Sequence, residues 1–415
     1  MTTATQKIPT GYKQTDIGII PTDWDVVTLS EVTSEIGDGL HSTPIYSSNG
    51  EYFFINGNNI YNGQIVITEN TKAVNISEFK KHKNDLGNKT ILLSINGTIG
   101  NLALFEGEKV ILGKSAAYLN TKNNLERKYI YYSLQTKQIA LQFNNGLTGT
   151  TIKNLGLSTI RNTKIPLPTL KSEQSAIATA LSDTDTLIEK LEKLIEKKKN
   201  IKQGAMQELL TVKRRLPGFS GKWETKRLGE MCELKNGYAF KSFTYTDVGE
   251  YKIITIANVQ DGFMDSNKTT CISKLPSDIQ EHQQLKFGDL LISMTGNVGR
   301  VCFVDNDISL LNQRVGKIET STFDKGFIFY ICSNRTFLNS MILKAVGGAQ
   351  GNLGKSDILE YETKIPVDPK EQTAIANVLS DMDTEIEKLE SQLTKYQNLK
   401  QGMMQTLLTG KIRLI

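Results

Sequence analysis

Four pairs of short segments hold most of the residues in this chain that could do recognition chemistry. Gly37-Asp38-Gly39-Leu40-His41-Ser42-Thr43-Pro44 matches Asn236-Gly237-Tyr238-Ala239-Phe240-Lys241-Ser242. Ser94-Ile95-Asn96-Gly97-Thr98-Ile99-Gly100-Asn101 matches Ser293-Met294-Thr295-Gly296-Asn297-Val298-Gly299-Arg300. Gly113-Lys114-Ser115 stands opposite Asn312-Gln313-Arg314, and Gly149-Thr150-Thr151-Ile152-Lys153-Asn154-Leu155 opposite Gly347-Gly348-Ala349-Gln350-Gly351-Asn352-Leu353. Several of these segments keep glycines in place and change the polar residues between them. Ser, Thr, Asn, Gln, Lys and Arg side chains are the ones that hydrogen-bond base edges and phosphate oxygens. The candidate contacts are Asp38, His41, Ser42, Thr43, Asn96, Thr98, Thr150, Thr151 and Lys153 in the first set. In the second they are Tyr238, Lys241, Asn297, Arg300, Gln313, Arg314, Gln350 and Asn352. The same residue types dominate ordinary turns, and that reading stands for any single segment. It weakens when one frame recurs with different polar tips, because that is how one scaffold would present two reading heads.

Catalytic motifs do not accompany these segments. The Asp/Asn-Pro-Pro-aromatic pocket of adenine methyltransferases needs adjacent prolines, and the nine prolines here include no adjacent pair. A phosphate-cradling loop needs GxxxxGK followed by Ser or Thr. Gly113-Lys114-Ser115 and Gly354-Lys355-Ser356 have only its tail, with Glu108 and Ala349 where the first glycines would stand. The three histidines, His41, His82 and His282, are too few and too scattered for a zinc site. No catalytic, cofactor-binding or metal-ligating residue is therefore assigned.

Composition sets loose bounds. The 415 residues carry a net charge of +5 and a pI near 8.7, which permits an anionic partner without demanding one. Cys232, Cys271, Cys302 and Cys332 show no CxxC spacing and read as buried, reduced thiols. The N-terminal MTTATQKIPT lacks an apolar core, and no run of about 18 apolar residues occurs, so a cytoplasmic chain with no membrane partner is expected.

The elements that must position the loops are repeated too. KIPLPTLKSEQSAIATALSDTDTLIEKLEKLIEKKKNIKQGAMQELLT (164–211) recurs as KIPVDPKEQTAIANVLSDMDTEIEKLESQLTKYQNLKQGMMQTLLT (364–409). From Glu173/Glu371 onward the offset is 198; Trp24/Trp223, Leu29/Leu228, Tyr52/Tyr251, Asn59/Asn258, Gly63/Gly262, Gly97/Gly296 and Gly100/Gly299 recur at 199. Such a period is far longer than the roughly 20–50 residues of solenoid units, so the chain is two copies of one module. Its last residues, TGKIRLI, align with TVKRRLP, where the second copy begins. That end-to-end match predicts a circular, pseudo-twofold organisation.

Each copy ends in a helical segment. Leu379, Met382, Ile386, Leu389, Leu393, Tyr396, Met403 and Leu407 form a narrow coiled-coil seam, interrupted by Lys400. Leu181, Thr184, Ile188, Leu191, Ile195, Ala205 and Leu209 form its counterpart, interrupted by Lys198 and Lys202. Asp368-Pro369-Lys370-Glu371 has the chemistry of a helix start. The two helices should pair antiparallel, each roughly 60 Å long at ~1.5 Å per residue. Gly204 and Gly402 mark either close helix crossings or local fraying. Before each helix, β-rich runs (Tyr52–Ile55, Thr90–Ile95, Lys252–Ile256, Asp289–Met294) alternate with turn signals at Asn96-Gly97 and Thr295-Gly296-Asn297. The expected fold is α+β: an N-terminal arm (1–20), a first globular domain (21–165), a central helix (166–213), a second globular domain (214–366) and a C-terminal helix (367–415).

Taken together, the tandem layout, the two KIP…EQ…AIA…LSD helix motifs, the endings KQGAMQELLT and KQGMMQTLLTGKIRL, and DGLHSTP resemble the specificity subunit of type I restriction-modification systems. The second domain lacks the His-x-Thr-Pro element and has Gly237-Tyr238-Ala239-Phe240 instead. The resemblance implies two target-recognition domains, each reading half of a bipartite site in double-stranded DNA. It implies helices that space the halves and dock two modification subunits, with up to two restriction subunits joining. S-adenosylmethionine, ATP and Mg would then belong to the partner subunits, none to this chain. A coiled-coil adaptor whose loop domains bind proteins is the alternative; it accounts for the helices but not for the matched loops.

Overall fold

The computed structural model describes residues 8–149, 153–267, 269–306, 309–347 and 352–415. They divide into two compact units, Met1–Glu192 with Gln392–Ile415, and Lys193–Ser391. Each unit therefore combines one globular domain with half of each long helix. The helices are α1 (Lys171–Leu209) and α2 (Pro369–Leu407).

In the first unit a four-stranded antiparallel sheet runs Leu102–Leu104, Thr90–Ser94, Ala116–Thr121, Thr33–Asp38. Thr90–Ser94 is buried throughout, which explains its unbroken apolar run: Ile91 and Leu93 face one core and Leu92 the other. The first core also takes in Ile177, Ala178 and Leu181 of α1 and Leu407 and Leu408 at the end of α2. A second sheet joins Val110–Leu112 in parallel to Tyr52–Ile55. In the second unit the same four-strand order recurs as Val301–Phe303, Leu290–Ser293, Val315–Glu319, Glu233–Asn236. Ser309–Leu311 again lies parallel to Tyr251–Ile254.

Each long helix leaves a two-stranded ribbon. Lys164–Pro168 pairs with Trp24–Thr28 so that Pro168 faces Trp24, and Glu362–Pro366 pairs with Trp223–Arg227 so that Pro366 faces Trp223. Residues 166–168, expected in the central helix, are thus strand; prolines are tolerated on such an edge. The Asp368 carboxylate accepts the Lys370 N–H at 2.9 Å and caps α2. The expected N-terminal arm is folded from Tyr12 to Pro21: Tyr12–Thr15 and Gly18–Pro21 form a hairpin, Ile20 is in the first core, and the Tyr12 hydroxyl donates to the Gly410 carbonyl at 2.9 Å.

The helix halves run antiparallel in both units. In the first, Lys400 of α2 reaches Asp185 of α1 at 2.6 Å, and the Thr184 hydroxyl meets Met403. In the second, Lys202 pairs with Asp383, and Lys199 with Glu390 at 2.7 Å. The seam lysines that interrupt the apolar pattern are therefore cross-helix partners. Each aspartate also accepts a tyrosine hydroxyl from the globular domain: Tyr132 to Asp185 at 2.8 Å, Tyr330 to Asp383 at 2.9 Å. Burial, then the neighbouring carboxylate, holds both phenols well above their usual range, so each remains a donor. A Cβ built at Gly204 or Gly402 meets nothing within 4 Å, which corrects the close-crossing reading of these glycines.

A second matched cluster closes each unit. Glu371, 1% exposed, accepts Arg215 at 2.6 Å and the Trp223 indole N–H at 3.3 Å. In the first unit Glu173, also 1% exposed, accepts Arg413 at 2.8 Å and the Trp24 N–H at 3.2 Å. Arg413 further binds Asp23 through two contacts of 2.8 and 2.9 Å. The C-terminal segment thus does in the first unit what residue 215 does in the second.

Candidate nucleic-acid interface

The four loops of each unit hang on the ends of buried strands, and a matched set of backbone bonds ties them together. Leu40 N–H donates to the Leu112 carbonyl at 2.7 Å, and Tyr238 N–H to that of Leu311 at 2.8 Å. Ile95 donates to Ser115 and Met294 to Arg314, at 2.9 and 3.1 Å. Leu155 donates to Ile95 and Leu353 to Met294, at 2.9 and 2.8 Å. Asp38–Pro44, Asn96–Asn101, Gly113–Ser115 and Lys153–Leu155 are thereby one cluster, and their counterparts form one cluster in the second unit.

Local sequence explains the frame. Gly39 and Gly237 lie so close to the neighbouring strand that a Cβ would fall 2.3 Å from the Leu112 carbonyl and 2.1 Å from that of Asn312. Gly97 and Gly296 have φ of +71° and +68°, the left-handed conformation that their turns require. The Ser94 hydroxyl donates to the Thr98 carbonyl and the Ser293 hydroxyl to that of Asn297, closing both turns alike.

Within these clusters the candidates differ in what they offer. Ser42, Thr43, Lys153, Lys241, Asn297, Gln313 and Arg314 are exposed. His41 is exposed, with Nε2 2.7 Å from Asp38 Oδ2. Asn96 and Asn352 are half-buried and sit in the backbone bridges Asn96–Asn154 and Thr295–Asn352. Three further candidates already have intramolecular partners. The Thr98 hydroxyl donates to the Gly57 carbonyl at 3.1 Å, Arg300 to Gln260 Oε1 at 2.8 Å, and the Tyr238 hydroxyl to Asp278 at 2.7 Å. The Asp278 carboxylate raises the Tyr238 pKa, so this phenol stays protonated. Thr150, Thr151 and Gln350 lie outside the described residues.

One group escaped the sequence reading. Helix Ile76–His82 stands beside the first loop: its Glu78 carboxylate accepts the Ile45 N–H at 3.0 Å, and Asn84 donates to the Asp38 carbonyl. Its end presents exposed Lys80 and Lys81, followed by exposed Lys83. The run Lys80-Lys81-His82-Lys83 was the available signal. The second unit has a short turn at Glu281–Gln283 in the corresponding place and no such run.

Among the described residues no group of three or more His, Cys, Asp or Glu is placed to hold a metal ion. All four cysteines are buried free thiols, and burial pushes Cys232 and Cys302 up to about 12. No helix among the described residues is long and apolar enough to cross a membrane.

Comparison with known proteins adds relatives that span the whole layout. The profile of a family described as type I restriction modification DNA specificity domain matches twice, at residues 21–203 and 220–395. The putative type I restriction enzyme MjaX specificity subunit of Methanocaldococcus jannaschii is 29% identical over 97% of this chain and 96% of its own length. The MjaIX specificity subunit of the same organism is 24% identical over 97% of both. Among solved structures, the S subunit of a type I restriction-modification system from M. genitalium superposes with a TM-score of 0.61 at 17% identity, over 92% of this chain and 96% of that one.

Proposed function

The chain belongs to the type I restriction-modification DNA specificity family, and from that premise we propose that each of its units reads one half of a bipartite, asymmetric site in double-stranded DNA. One observation carries this reading. The two units share strand order, turn glycines and loop-to-loop backbone bonds, yet present different polar tips: His41-Ser42-Thr43 against Ala239-Phe240-Lys241, and Gly113-Lys114-Ser115 against Asn312-Gln313-Arg314. A shared frame with unequal tips suits two unequal half-sites.

The long helices set the distance between the halves and dock the modification subunits, two of them by the internal repeat. On α1, Leu187, Leu194 and Ile201 recur every seven residues, and at 37%, 37% and 47% exposure they are not consumed by the pairing with α2. Such a stripe supports helix-on-helix docking. The methyl-transfer chemistry, with S-adenosylmethionine, belongs to those partners, which must also flip the target base. ATP and Mg belong to a restriction subunit where one joins. The adaptor reading is not favoured. An electrophoretic shift with duplex DNA, with and without the modification subunits, tests the proposal: DNA retention is expected at low salt and should fall steeply as salt rises. A chain that assembles with its partners but retains no DNA would overturn it.

A further inference from the structure

The first loop of each unit carries a large apolar side chain that nothing in the fold covers. Ile45 is 70% exposed and Phe243 is 82% exposed. Each is the sixth residue after the close-packed glycine, Gly39 or Gly237, and each loop closes on a matched bond, Ser47 N–H to the Ala73 carbonyl and Thr246 N–H to that of Cys271, two residues after Ile45 and three after Phe243, so the two lie in one short stretch of the shared frame. A single exposed apolar residue needs no explanation. The same feature in the same stretch of two matched loops whose other tips have diverged does.

Both side chains stand on hydrogen-bonded backbone. The Ile45 N–H is held by Glu78, which is itself 8% exposed, and Pro44 beside it is buried. Phe243 sits in the turn Ser242–Thr244, closed by the Thr244 N–H and hydroxyl, both donating to the Lys241 carbonyl at 2.9 and 2.7 Å. A cation stands by the Phe243 tip, and the helix that anchors Ile45 carries two. Lys241 Nζ lies 5.9 Å from the Phe243 ring centroid, and Lys80 and Lys81 stand on the helix that anchors Ile45. An apolar tip cannot hydrogen-bond a base edge, but flanked by cations that hold phosphates it can enter a base step. Phe and Ile are residues that architectural proteins use as such wedges from the minor groove, unstacking a step and kinking the duplex. Lys241, Ser242 and Thr244 around Phe243 and Ser42 and Thr43 ahead of Ile45 are polar and exposed, and Tyr46 and Tyr245, 43% and 39% exposed, add only rings that carry a hydroxyl, which falls short of the contiguous apolar core of a protein interface.

Resting on the DNA-reading role proposed above, we infer that Ile45 and Phe243 are wedges that insert between base pairs and kink each half-site. The test is a circular-permutation gel assay with the chain and its modification subunits. Equal-length duplexes carry the site at the middle or near an end. The wild-type complex should show position-dependent mobility. Ile45→Ser and Phe243→Ser should each weaken that dependence, and the double variant should remove it, with affinity reduced no more than about tenfold; Phe243→Leu should keep the bend. A wild-type complex that shifts DNA without position dependence overturns the wedge and leaves DNA reading intact. Serine variants that bend DNA like wild type overturn it too, as does loss of the modification subunits on purification, which would make these residues a protein contact. No shift at all would instead overturn the underlying reading.

Discussion

Replacing Asp383 by alanine removes the acceptor that joins three elements. Lys202 of α1 and the Tyr330 hydroxyl converge on this carboxylate, with Lys202 Nζ also 5.6 Å from the Tyr330 ring centroid. Side-chain exposure is 21% for Lys202 and 31% for Asp383, so the pair is neither buried nor free. Breaking a fully buried pair costs about 3–5 kcal/mol, and losing an exposed one about 0–1 kcal/mol. An intermediate pair gives roughly 2 kcal/mol, to which an unpaired Tyr330 hydroxyl adds about 1 kcal/mol. The expected loss is about 2–3 kcal/mol, or roughly 5–10 °C in the melting of a unit of this size. The assay is thermal and denaturant unfolding of the full chain with a double-mutant cycle of Lys202→Ala and Asp383→Ala. Coupling of about 1–2 kcal/mol is expected, since the two residues share one contact. The charge swap Lys202→Asp with Asp383→Lys should recover only part of it, because Tyr330 would face an ammonium. Asp383→Ala within about 0.5 kcal/mol of wild type, or additive single variants, would refute the reasoning.

Removing Arg413 leaves Glu173 buried with only the Trp24 N–H, so Arg413→Ala should destabilise the first unit by about 2–3 kcal/mol, and Glu173→Gln in the same chain should restore part of that loss. Arg413 is also the main cause that lowers the Asp23 pKa below its ordinary 3.8, with burial opposing it. A lowered folded pKa contributes stability that is complete above the unfolded value and is lost as pH falls through the lowered one. Release of the C-terminal segment, read by limited proteolysis, should therefore begin below about pH 4 and be absent at neutral pH. Inserting four residues after Glu192 and four after Gln392 should widen the gap between half-sites by about two base pairs, since ~6 Å of helix answers to ~3.4 Å per base pair. The paired insertion is required because Asp185 and Lys202 on α1 are 17 residues apart and so are Lys400 and Asp383 on α2. Lengthening α1 alone would break one of these pairs, and two residues instead of four would rotate the seam by about 200°. An active paired variant whose methylated sites keep the old gap would show that the helices do not set it.

The duplication, the start of α2 and the four β-rich runs were legible because they are local: apolar runs, turn glycines and an Asp-Pro cap leave direct marks in sequence, whereas the start of α1 was placed too early, in residues that are strand. The seam was legible only as a pattern. Lys202 and Lys400 read as interruptions because their partners lie on the other helix and their aspartates are shared with tyrosines more than 50 residues away. The Trp24 and Trp223 repeat was visible, but not that each indole helps to satisfy a buried glutamate. Gly204 and Gly402 misled because a glycine mid-helix suggests a close neighbour, whereas both face open space. In the loops, residue type marked the surface but not the spent side chains. Thr98, Arg300 and Tyr238 have internal partners that no local spacing reveals. The lysines at 80, 81 and 83 were passed over because a basic run is usually just a solvated face.

The most direct measurement of the central claim is single-molecule methylome sequencing of cells in which residues 21–165 are replaced by the first recognition domain of another system. The chimera should keep Trp24 and Asp23 equivalents, so that Arg413 and Glu173 still close the first unit. Methylation is expected at a new bipartite site in which one half is changed while the other half and the gap between them are retained. A functional chimera in which both halves change, or neither does, would contradict it.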